Sequence, residues 1–110
     1  MIIFLYTFAN MSNPHEITLA EAATMTHAYQ NASQFQGLTI AVKFDRIAYD
    51  EILAQPGCVA VRSYFSLDST NALTLVMVGV DSNNHDLTNG KIMDGGNKCP
   101  INCDINSPLL

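Results

Sequence analysis

From Ile17 to Asn31 the chain reads ITLAEAATMTHAYQN, and Leu19, Ala22, Ala23, Met25, Thr26 and Tyr29 recur at the spacing of one helix face. Thr18 and Glu21 form a capping box, in which the Thr hydroxyl accepts from the Glu21 N–H and the carboxylate reaches back to the Thr18 N–H. Ile17 stands just before the cap, placed to staple onto Ala22, and alanines at 20, 22, 23 and 28 favour helix. The pattern predicts a helix to about Asn31, followed by a loop ending at Gly37. LTIAVKF alternates and carries β-branched residues, so it reads as a short strand. Asp45 is placed to cap a second helix, RIAYDEILAQ, with Ala48, Tyr49, Ile52 and Leu53 on its inner face. Pro56 ends it, because the residue before a proline is pushed out of the helical region.

CVAVRSYF and ALTLVMVGV are the two strongest strand patterns, and SLDSTN between them has hairpin-loop character. The first strand separates Val59, Val61, Ser63 and Phe65 from Cys58, Ala60, Arg62 and Tyr64. The second is apolar on both faces, as a central covered strand should be. Gly79 within it marks a bulge or a close backbone approach. Pairing Phe65 with Leu73 would set Cys58 opposite Val80 and Arg62 opposite Val76. DSNNHD then reads as a turn, LTNGKIM as a last strand, and DGGNKCPINCDINSPLL as a tail. The order predicts an α+β fold, an antiparallel sheet of three to four strands with two helices packed on it. Residues 1–16 form an N-terminal arm, 17–94 the domain, and 95–110 a tail packed on that domain.

The composition adds a partner to this picture. The 110 residues fit one domain. They are 48% hydrophobic and only 14% charged, against about 25% charged in an average domain. So little charge leaves apolar surface to be covered by a partner, a homodimer being the simplest case. Five Lys and Arg stand against ten Asp and Glu, for a net charge of -5. The bases are scattered, which argues against nucleic acid and against an anionic membrane surface. The opening MIIFLYTFAN is too short to span a bilayer and has no base ahead of its apolar run, so it makes a poor signal peptide. It reads either as an edge strand or as an artefact of start-site choice ahead of Met11. Three cysteines, an odd number, do not make a secreted disulfide framework, and the expected location is cytoplasmic.

LAQPGCVAVRSYF, LTLVMVGVDSNNHDLTNGKI and CPINC together resemble a family of small bacterial proteins without an established function. The likeness spans Ile17 to Leu110 and rests on Gly57, Cys58, Arg62, Gly79, Asp81, Asp86, Gly90, Cys99, Pro100 and Cys103. Ser63 and Ile101 depart from the pattern. The resemblance implies a fold-level grouping and no reaction, substrate or cofactor.

Candidate chemistry gathers around the cysteines. With Cys58 and His85 at one end of the sheet and the tail folded over it, Cys58, His85, Cys99 and Cys103 would make a tetrahedral zinc set. Cys99 and Cys103 also suit a disulfide, a redox pair, or, asking least of the chain, two small buried residues. Cys58 with His27 or His85 is the one pairing that suggests an activated nucleophile. Arg62, mid-strand beside Tyr64, would be costly to bury unpaired. The plain reading gives it an ion pair with Asp45, Asp50 or Glu51; the functional one makes Arg62 and Tyr64 an anion site. DSNNHD lacks the glycine and terminal glutamate of a calcium loop. The resulting expectation is an interaction or accessory module that self-associates. The alternative is a small zinc-binding or thiol-dependent enzyme using Cys58, Cys99, Cys103 and His85.

Overall fold

The computed structural model describes residues 13–110, so the expectations about MIIFLYTFAN lie outside the described residues. In chain order the elements are α1 (Leu19–Asn31), a 3-10 turn (Ser33–Phe35), β1 (Ala41–Lys43), α2 (Arg46–Leu53), β2 (Cys58–Leu67), β3 (Leu73–Asp81), β4 (Ile92–Met93) and β5 (Asn97–Cys99). The fold is α+β with antiparallel pairing throughout, as expected. The strands are shared between two sheets, one of order β2-β3-β4 and a second of β1 with β5.

The capping box forms as read from the sequence. Thr18 Oγ1 accepts from the Glu21 N–H at 3.1 Å, and Glu21 accepts from the Thr18 N–H at 3.0 Å. The expected stripe of α1 is only half-covered: none of the helix's residues is buried, and Leu19 and Met25 are 60% and 65% exposed. What α1 meets is the chain around it. Tyr29 stacks on Phe35 and donates to the Thr39 carbonyl, Gln30 donates to the Leu109 carbonyl, and His27 Nε2 lies 3.0 Å from the Pro108 carbonyl. Asp45 occupies the N-cap of α2 without a side-chain capping bond. Of that helix's expected inner face only Ile52 is buried, while Tyr49 and Leu53 stay open.

The central hairpin forms, but its register differs from the expected one by two residues from Ala60 to Leu67 and by one at Cys58. Phe65 pairs with Leu75, Arg62 with Val78, and Cys58 with Asp81, across a bulge between Cys58 and Ala60. The cause lies in the loop. β2 runs on to Leu67, and Asp68 closes the turn by accepting from Thr70 N–H, Thr70 Oγ1 and Ala72 N–H. Asn71, at φ 69°, supplies the left-handed residue that asparagine tolerates. From Ala60 to Leu67 a shift of two keeps each side chain on its face, whereas the bulge sets Cys58 against Gly79 and away from the face of Arg62 and Tyr64.

β3 is central and holds most of the core, with Met77, Val78 and Val80 buried alongside Ile52 and Cys99. Gly79 marks a close approach: a Cβ there would stand 2.9 Å from Cys58 Sγ. LTNGKIM contributes only Ile92–Met93 as strand. The tail yields β5, whose Cys99 pairs with Ala41. Lys98, also in β5, reaches Asp68 at 2.8 Å and ties the second sheet to the hairpin loop.

Candidate functional site

Arg62 and Tyr64 share one face of β2, two residues apart. Asp86 belongs to the loop after β3 and is held there by an isolated antiparallel bridge to Val80. Asp81 shapes that loop, its Oδ1 accepting from the N–H groups of Asn83 at 2.9 Å and His85 at 3.0 Å. Asn84 takes φ 67° at the turn. These constraints bring two side chains, Asn84 and Asp86, onto Arg62 and Tyr64. Arg62 Nη1 donates to Asp86 Oδ1, Arg62 Nη2 donates to Asn84 Oδ1, and the Tyr64 hydroxyl donates to Asp86 Oδ2. Since Arg62 faces Val78 and Val80 faces Asp86, the network lies over Val78 and Val80.

The Arg62 partner is thus Asp86, not Asp45, Asp50 or Glu51 as the sequence suggested. Those three belong to α2 and its cap, whereas Asp86 is delivered to the correct face by its bridge to β3. The Tyr64 hydroxyl and the Arg62 guanidinium hold the Asp86 carboxyl below its ordinary value, outweighing its desolvation. Asp86 in turn raises Tyr64, because a phenol that donates to a carboxylate resists ionisation. Chemically the cluster is a matched pair with both carboxylate oxygens in use. An outside anion reaching Arg62 and Tyr64 would have to displace Asp86.

The cysteines separate into two places. Cys99 and Cys103 are joined by a disulfide, with Cα atoms 4.9 Å apart, which is one of the arrangements their spacing allowed. Cys58 is a free thiol that faces Gly79 and donates to the Ala60 carbonyl at 3.3 Å. Cys58 and His85 do share one end of the sheet, both beside Asp81. Among the described residues, however, no group of three or more His, Cys, Asp or Glu side chains could hold a metal ion. The four residues chosen as zinc ligands are therefore not assembled, since the disulfide has taken two of the sulfurs and β5 pairs with β1. His27 Nε2 meets the Pro108 carbonyl.

Gln55 is a residue the sequence reading passed over. Its Oε1 accepts from Lys91 N–H at 2.7 Å and its Nε2 donates to the Ile52 carbonyl at 2.8 Å. It thereby pins the end of α2 to the start of β4. An apolar groove of about 280 Å³ lies between the sheets, walled by Tyr29, Ile40, Val42, Phe65, Leu73 and Leu75. No helix among the described residues is long and apolar enough to cross a membrane. No family model matches this chain, and neither a curated protein nor a solved structure does.

Proposed function

We propose that the chain is a small interaction module that self-associates. The supporting observation is the distribution of its apolar side chains. Among the described residues five are buried, Ile52, Met77, Val78, Val80 and Cys99, while Val59, Phe65 and Leu67 on β2 alone stand 63%, 83% and 64% exposed. A large exposed apolar patch beside a small core marks a surface that a partner covers. The Arg62–Asp86 network fits this role. It fixes the polar face of β2 and leaves the opposite face of that strand, the one carrying Phe65 and Leu67, for contact.

Light scattering across a dilution series tests the reading. The mass should fall from an oligomer to a monomer on dilution, and Phe65→Lys should shift the equilibrium to monomer without loss of fold. A monomer at every concentration would remove the proposal.

The expected cytoplasmic location sits uneasily with the Cys99–Cys103 bond, since reducing compartments keep such pairs open. A count of free thiols on protein taken directly from its own cells decides between one, Cys58 alone, and three.

A further inference from the structure

Among the described residues β2 is an edge strand of ten residues, because there β3 alone pairs with it in the β2-β3-β4 sheet. The pairing beyond β3 shows which of its backbone groups are unused. Gly79 O accepts from Leu87 N–H and Asp81 N–H donates to His85 O, both on the side of β3 away from β2. The odd residues of β3 therefore point their peptide groups away from β2, and the even ones point toward it. Val78 and Val76 thus bond to Arg62 and Tyr64. It follows that Val61, Ser63, Phe65 and Leu67 carry N–H and C=O groups directed off the sheet. Among the described residues no turn or side-chain hydrogen bond reaches them.

The one irregularity of this edge is the bulge between Cys58 and Ala60, which leaves Val61 to Leu67 regular. β2 contains no proline and no lysine, the residues that commonly blunt an edge. Its one charge, Arg62, is matched within its own chain by Asp86. The geometry points to a second copy of β2 as the occupant, laid antiparallel about a two-fold axis through Ser63, so that two three-stranded sheets become one of six strands. This inference rests on the self-association proposed above and names the surface that makes it.

The sequence of the strand selects the centre. An axis at Ser63 pairs Val61 with Phe65 of the partner, so apolar meets apolar on one face, and only the bulged end at Val59 falls outside the regular ladder. On the other face Arg62 stands opposite the partner's Tyr64 and never opposite its own copy. An axis at Tyr64 would place Ser63 against Phe65 and Arg62 against Ser66, losing the aromatic–β-branched match. Ser63 would lie at a hydrogen-bonded site, where facing Cα atoms are about 5.5 Å apart, a separation that a disulfide spans.

The test is Ser63→Cys in full-length protein carrying Cys58→Ser, with Val61→Cys in the same background as control. Mild oxidation should give a covalent dimer from the first and none from the second, whose facing positions are offset by four residues. Hydrogen exchange at Val61, Ser63, Phe65 and Leu67 should slow only at concentrations where the dimer exists. A non-covalent dimer that Ser63→Cys fails to cross-link would overturn the edge pairing and leave self-association standing. A protein monomeric throughout overturns both. Amides already slow in the dilute monomer mean that the chain covers its own edge, which also overturns the inference.

Discussion

Asp86 is the residue on which the polar side of the sheet depends. It accepts from Arg62 and from Tyr64 at once, over two of the few buried valines. Asp86→Asn keeps the shape and removes the charge. The expected results are a lower melting temperature and a Tyr64 phenol that titrates nearer the usual value of about 10, read by the pH dependence of its ring resonances. Wild-type pH dependence follows with its sign. Asp68, Asp81 and Asp86 are all held below their ordinary values in the fold, Asp68 chiefly by Lys98 and Thr70, Asp81 chiefly by the His85 N–H. A depressed carboxyl stabilises the fold above its unfolded value, 3.8, and that contribution disappears as pH falls through the lower folded value. Denaturation midpoints should therefore hold from neutrality to about pH 5 and then drop steadily below pH 4. Tyr64 acts in the opposite direction: its raised value stabilises the fold below about pH 10, and the benefit is lost as pH rises through the folded value. Ser66 adds a second case, its hydroxyl oxygen buried without a partner among the described residues. Ser66→Ala should raise stability by roughly 1 kcal/mol in a urea melt.

At the level of elements, α1 and the α2–β2 turn behave differently. Helix α1 owes its start to the capping box and has no buried residue to anchor it. An isolated helix of its length is marginal in water. Thr18→Ala should cost about 1 kcal/mol, and amide exchange should place that loss in α1 rather than in the sheet. The α2–β2 turn is instead fixed by close packing. Gln55 bridges to Lys91 and Ile52, and Cys58 lies against Gly79. Gly79→Ala should destabilise by roughly 1–3 kcal/mol, the usual cost of overfilling a packed site. Adding Cys58→Ala, which removes the sulfur that the new methyl meets, should recover part of it. Additive effects of the two changes in a thermodynamic cycle would argue against the contact.

For the molecule as a whole, two cross-links set how its parts hold together. Lys98 and Asp68 join the small sheet to the hairpin loop, and the Cys99–Cys103 bond fixes the turn through which the tail reaches Pro108 and Leu109 against α1. Closing so short a loop is worth about 2 kcal/mol in the chain-entropy description. Cys103→Ser should lower stability by about that amount and make the last residues more open to proteolysis, with little change in exchange across β2 and β3. If protection in the central hairpin collapsed as well, the tail would be part of the main cooperative unit.

Local patterns settled what is local. The Thr18–Glu21 box, the stop at Pro56, the two long strands and the covered centre at β3 follow from nearest-neighbour sterics, hydrogen bonding within a turn and a period of two or 3.6. The register was off by two because Asp68, a side chain in the loop, decides where the hairpin closes, and hydrophobic alternation repeats every two residues without marking which repeat is opposite which. Asp86 as the partner of Arg62, the β1–β5 pairing and the separation of Cys58 from the other two sulfurs were decided only in three dimensions. Each depends on where segments distant in sequence come to rest, and one residue's position on its own strand carries no record of what the chain later folds against it.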